Sequence, residues 1–163
     1  MTIPDFDYIW GVAEKRTPDE PVVFAALLRG ARFAYGDAIR IALIEAGLDD
    51  IPKNGIFVIG ALGRSGAPLA GIIDSLGVSK QSAGQLVDTL ALRGYIDRRV
   101  DPEDRRRLTV TLTPRGREAA EIARAMIERI DAALLRKVGR ERVAHTRETL
   151  LALIEFVRGK DPA

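Results

Sequence analysis

The chain contains no cysteine, one histidine and one tryptophan among 163 residues. Without cysteine there is no disulfide, no thiolate nucleophile and no thiol-based redox sensor, and the reduced cytosol is the expected compartment. One histidine with no thiol partner is too few for the usual transition-metal ligand sets, so neither a metal nor a cofactor is expected. Long apolar runs are missing as well. VVFAALL stops at Arg29, well short of the ~20 residues a membrane helix needs. The opening MTIPDFDYIW has neither a basic n-region nor a long apolar core and does not read as a secretory signal. Enzyme signatures are absent too: no phosphate-cradling loop, no HExxH, no GxSxG, and no nucleophile beside a histidine. These absences lead us to expect a soluble, cytoplasmic protein that is not an enzyme and has no membrane partner.

What is present describes a folded domain. The apolar fraction is 47% and the charged fraction 29%, ordinary values for a packed protein and unlike a disordered one. Charge is nearly balanced at +2 but unevenly spread. Between Val78 and Arg117 nine Lys/Arg stand against five Asp/Glu, a local +4, so the rest of the chain carries −2. A basic patch on a near-neutral protein marks a place for an anionic partner. Twenty of the twenty-five basic residues are arginine, whose planar fork suits phosphates and guanine edges better than lysine does.

Periodicity places the elements. Residues 1–21 hold Pro18 and Pro21 and read as an extended or partly helical arm. Residues 22–47 form a long helical pattern, stopped by Gly47, and its apolar content requires that more than one face be covered. A second helix starts after Pro52, runs through IFVIGAL and is expected to end at Gly63. Leu69, Ile72, Ile73 and Leu76 then fit a short amphipathic helix with Pro68 in its first turn. After Gly77, Ser79 is a good N-cap, and Ala83, Leu86, Val87 and Leu90 repeat the template up to Gly94. Two short helices joined by a glycine-containing turn form a helix-turn-helix. Beyond Gly94 the period changes to two. Ile96, Arg98 and Val100, then Leu108, Val110 and Leu112, alternate around the turn DPED and predict a β-hairpin. Thr113 caps a helix that begins at Pro114 and reaches Gly139, and a last amphipathic helix ends near Gly159. The fold class is therefore mainly α: a winged helix-turn-helix with a small β-hairpin wing and long helices at both ends. Those end helices need a surface to bury against, and a second copy of the chain is the commonest solution.

GQLVDTLALRGYIDRRVDPEDRRRLTVTLTPRGRE resembles the core of the MarR (multiple antibiotic resistance regulator) family of winged-helix transcription factors. The matching features are a leucine-rich helix ending Arg93-Gly94, the strand Tyr95 to Arg99, the wing Asp104-Arg105-Arg106, and Leu112-Thr113-Pro114-Arg115-Gly116. The resemblance implies a homodimer with interlocked terminal helices above two DNA-binding lobes, and a pseudo-palindromic double-stranded DNA site, usually held by a repressor. It also implies, in many members, a small anionic or phenolic effector between the dimerisation helices and the DNA-binding lobe. On this plan residues 1–48 and 114–163 are dimerisation segments, 49–113 is the DNA-binding lobe, and the whole is one intertwined domain.

Candidate contacts follow from side-chain chemistry. An apolar stripe turned inward leaves Ser79, Lys80, Gln81, Ser82, Gln85 and Thr89 outward on the recognition helix, and these types contact phosphates and base edges. Gln85 can pair bidentately with adenine, which discriminates by ~1–3 kcal/mol. The family often has arginine there, and Gly84 weakens the helix by ~1 kcal/mol relative to alanine, so which base is read stays open. The same positions would also serve as ordinary solvated sites on a surface helix. In the wing, Asp104 can orient the Arg106 guanidinium. The resemblance places Arg106 in the minor groove, where negative potential is concentrated. Arg105, Arg107 and Arg98 suit phosphates or the hairpin scaffold, and the opposite reading is mutual neutralisation among these charges. Phe24, Phe33, Tyr35 and Phe57, with Arg32 or Arg40 for a carboxylate, are candidates for an effector cavity, although such side chains are commonly core. His145 reads as a surface or dimer-interface residue. The competing function is a winged-helix module that binds protein rather than DNA.

Overall fold

The computed structural model describes residues 24–52, 54–65, 79–100, 108–157 and 159. In chain order the elements are α1 (Phe24–Glu45), α2 (Gly55–Ser65), α3 (Lys80–Leu92), β1 (Ile96–Val100), β2 (Leu108–Leu112), α4 (Pro114–Val138) and α5 (Arg140–Val157). This is the mainly helical, winged-helix arrangement the sequence predicts. The arm before residue 24, the short helix expected over 69–76 and the turn of the hairpin lie outside the described residues.

The helix ends show why the elements stop where they do. At the end of α1, Leu48 N–H donates to the Leu43 carbonyl (2.9 Å) and Gly47 N–H to Ile44 (3.0 Å), with Gly47 at φ 75°. The end of α3 repeats the device: Tyr95 N–H to Leu90 (2.9 Å) and Gly94 N–H to Ala91 (3.0 Å), with Gly94 at φ 73°. Both are left-handed caps that satisfy terminal carbonyls, and glycine adopts that conformation without a Cβ penalty.

α2 differs from expectation at its end. It continues past Gly63 to Ser65. Gly63 takes no left-handed conformation, so it does not terminate the helix. A Cβ there would stand 3.2 Å from the Ala120 Cβ and 3.5 Å from Leu112 Cδ1. The glycine lets α2 approach α4 and β2 closely instead of ending the turn.

The chain forms two compact units, one up to Met126 and one from Ile127 onward. The core of the first unit joins Ile39 and Leu43 of α1, Leu48, Val58 and Ile59 of α2, Ala83, Val87 and Leu90 of α3, Tyr95 and Ile96, and Ala119 and Ala123 of α4. The buried residues of α4 in this unit, Gly116, Ala119 and Ala123, are small and spaced by three and four, which brings neighbouring backbone close along one stripe. β1 and β2 pair antiparallel, Ile96 opposite Leu112 and Arg98 opposite Val110. In the second unit α5 buries no residue; Leu151 and Ile154 on it, and Leu134 and Leu135 on α4, are exposed.

Candidate nucleic-acid interface

α3 begins as the sequence predicts. Ser79 is its N-cap: the Ser79 hydroxyl accepts from Ser82 N–H at 3.2 Å and shares a second bond with the Ser82 hydroxyl at 2.9 Å. Such a cap satisfies an amide that the first turn leaves unpaired. Ala83, Val87 and Leu90 face inward and are buried, which turns Gln81, Ser82 and Gln85 to the exposed face. Gln81 and Gln85 are one turn apart and so adjoin each other. Among the described residues, a Cβ at Gly84 would meet no atom within 4 Å, so none of them requires a glycine there. Thr89 is half-buried and returns its hydroxyl to the Gln85 carbonyl at 2.7 Å, leaving only acceptor capacity outward. Lys80 belongs to the helix, but its side chain lies outside the description.

The hairpin follows α3 directly. Because alternate strand residues share a face, Arg98 lies on the side of the buried Ile96, toward α3. There its Nη1 meets Asp88 Oδ1 at 2.6 Å. The recognition helix and the first wing strand are thus tied by an ion pair, and Arg98 is held by it. Asp104, Arg105, Arg106 and Arg107, between β1 and β2 in the sequence, lie outside the described residues.

Arg93, Arg98, Arg115 and Arg117 have internal partners: Arg117 Nη1 donates to the Leu112 carbonyl at 2.8 Å, and Arg93 Nη1 to the Asp50 carbonyl. Arg115 donates from Nη1 to the Arg93 carbonyl at 2.8 Å and from Nη2 to Asp50 Oδ1 at 2.9 Å. Its guanidinium also lies 4.5 Å from the centroid of the Tyr95 ring, a favourable cation–π distance. The Tyr95 hydroxyl donates to the same Asp50 oxygen. That hydrogen bond, with the charges of Arg115 and Arg93, holds the Asp50 carboxyl below its ordinary value despite some desolvation. Burial and the Asp50 carboxylate push the Tyr95 hydroxyl well up, so it stays protonated.

Sequence reasoning did not single out this Asp50 cluster. GLDDIP reads locally as a turn, and the partners of Asp50 lie 43 to 65 residues further along the chain. The signature Leu-Thr-Pro-Arg-Gly acquires a physical meaning here. The Thr113 hydroxyl donates to the Gly94 carbonyl at 2.6 Å and accepts from Gly116 N–H at 3.1 Å, capping α4. A Cβ at Gly116 would overlap the Tyr95 carbonyl oxygen, so only glycine lets the first turn of α4 rest on that backbone.

Of the effector candidates, the structure brings Arg32 and Phe57 together, the guanidinium carbon 5.0 Å from the ring centroid. Phe24, Phe33 and Phe57 are exposed and Tyr35 is half-exposed. Among the described residues no group of His, Asp or Glu is placed to hold a metal ion, and no helix is long and apolar enough to cross a membrane.

Comparison with known proteins bears on the same segment. A family model described as MarR family matches residues 50–107. Among solved structures, Staphylococcus aureus MepR in complex with DNA is 19% identical, covering 83% of this chain and 98% of its own at a TM-score of 0.67. Streptococcus pneumoniae FabT in complex with DNA is 18% identical with the same coverage and a TM-score of 0.68. The transcriptional regulator PA3341 is 21% identical, covering 83% of this chain and 98% of its own, at 0.69. No curated protein matches the chain. Residues 50–107 thus match the model of the MarR family, and the fold is similar to the winged-helix fold of these solved structures.

Proposed function

We propose that the protein is a dimeric, sequence-specific DNA-binding transcriptional regulator of the cytoplasm, acting as a repressor that a small anionic or phenolic effector releases from a pseudo-palindromic operator. One observation carries this reading: a capped helix with Gln81, Ser82 and Gln85 on its open face leads directly into the paired strands β1 and β2, and Arg105, Arg106 and Arg107 stand between those strands in the sequence. Amides and hydroxyls on a helix read base edges in the major groove, and arginines at a hairpin tip suit phosphates and the minor groove. The DNA bound by MepR and FabT in their solved complexes supports the same assignment. The wing arginines, Arg98 and Lys80 supply the cations for contacts to DNA. The apolar residues exposed on α4 and α5 supply a surface for the second protomer, and Arg32 over Phe57 supplies a cation and a ring for an effector.

The test begins with selection of bound fragments from the source genome, followed by gel-shift titration. Arg106→Ala is expected to weaken operator binding about tenfold or more, equivalent to ~1.4 kcal/mol, while the protein stays folded. Wild-type affinity in that variant would remove Arg106 from the groove. Binding should also fall steeply with salt, with a log–log slope near −0.9 per phosphate neutralised. Association that ignores salt would favour a protein-binding module instead.

A further inference from the structure

The Asp50 cluster lies away from the exposed face of α3, yet it grips the end of that helix. Three segments meet in it: the α1–α2 connection through Asp50, the end of α3 through Arg93 and Tyr95, and the first turn of α4 through Arg115. Asp50 accepts at its carboxylate from the Tyr95 hydroxyl and Arg115, and at its main-chain carbonyl from Arg93. Arg115 reaches the Arg93 carbonyl with its other terminal nitrogen and stacks on the Tyr95 ring. An isolated surface ion pair contributes little. Here the two side chains are only 38% and 37% exposed, and two of the acceptors are main-chain carbonyls, so the cluster fixes backbone as well as side chains. Beside it, Thr113 and Gly116 join the start of α4 to Gly94 and Tyr95.

We propose that Asp50 and Arg115 are positioning residues for DNA recognition: they hold the recognition helix at a set tilt on α4 without touching DNA. The proposal rests on the DNA-binding reading above. α3 has 13 residues, so at 1.5 Å per residue it is ~20 Å long, and a ~5° tilt at its C-terminal end moves the N-terminal end by ~1.7 Å. Base-edge hydrogen bonds from Gln81 and Gln85 tolerate a few tenths of an ångström. Nonspecific phosphate contacts tolerate much more. Loosening the cluster therefore lowers specific affinity and leaves nonspecific affinity in place.

Charge provides a discriminating test, because positioning and simple electrostatics predict opposite signs. Asp50→Asn removes a negative charge beside the basic patch, which by field alone would tighten binding. Positioning predicts weakening. Arg115→Lys keeps the charge but loses the planar fork that serves two acceptors at once. Operator and scrambled duplexes would be titrated against full-length protein by fluorescence anisotropy over a range of salt. Both variants are expected to bind the operator about tenfold more weakly, with scrambled-duplex affinity no lower than wild type and the salt slope unchanged. Operator affinity in Asp50→Asn equal to or above wild type overturns the proposal. So does rescue by Arg115→Lys combined with a slope in Arg115→Ala shallower by ~0.9, the mark of a lost phosphate contact. If a variant lacks a cooperative melt, Tyr95→Phe takes its place. It removes only the hydroxyl bond to Asp50, and wild-type affinity in it also overturns the proposal. Failure of wild-type protein to bind any duplex removes the DNA-binding reading itself, a result separate from these.

Discussion

Asp50 is a half-exposed carboxylate with a tyrosine hydroxyl and two arginines around it, and its ionisation links the cluster to stability. Its folded-state pKa lies below the ordinary 3.8 because the Tyr95 hydrogen bond, then Arg115 and Arg93, favour the charged form over desolvation. A depressed carboxylate stabilises the fold at pH values above its unfolded pKa and loses that contribution as pH falls through the folded value. Asp50→Asn should therefore be less stable than wild type at neutral pH, by under ~1 kcal/mol because solvent screens a half-exposed group. The difference should shrink progressively below about pH 3.8, the cited unfolded value. Chemical denaturation of both proteins at neutral and acid pH checks this. A gap that is constant with pH would show that the charge of Asp50 is not what stabilises the cluster. Nothing in the sequence near Asp50 announces this role, since its partners come from 43 to 65 residues further along the chain.

Among the elements, what was legible depended on whether the determining contact was local. Ser79 caps α3 through Ser82, and Thr113 caps α4 through Gly116, each three residues away, so the sequence alone located both starts. The pair of strands was equally legible because their alternation is local. The end of α2 was not. Gly63 was expected to terminate it, but its partners are Ala120 and Leu112, far along the chain, and there glycine serves packing. The fate of the arginines was hidden for the same reason. Arg98 meets Asp88 across the α3–β1 corner, and Arg115 meets Asp50 across 65 residues. Thr113 combines a local and a distant role, since its hydroxyl caps α4 and also reaches the Gly94 carbonyl. Thr113→Ala should cost ~1 kcal/mol or somewhat more, the usual cost of a lost cap plus that second bond. A lower urea midpoint with unchanged denaturant slope is the expected reading.

For the molecule as a whole, the apolar side chains left exposed on α1, α4 and α5 set the expected assembly. Phe24, Leu27, Leu28, Leu134, Leu135, Leu151 and Ile154 are each more than a third exposed, and a helix such as α5 with no buried residue gains little from folding alone. The protein should sediment as a dimer at micromolar concentration, with a melting temperature that rises with protein concentration. A clean monomer would remove the two-fold operator geometry. Apolar period, caps and turn residues act over a few positions, so the winged-helix class, the order of the described elements and the starts of α3 and α4 could be read from the sequence. Which described arginines are engaged within the fold, and the joining of Asp50 to the end of α3, emerged with the folded chain. Those outcomes depend on contacts between segments distant in the chain, which no local pattern encodes.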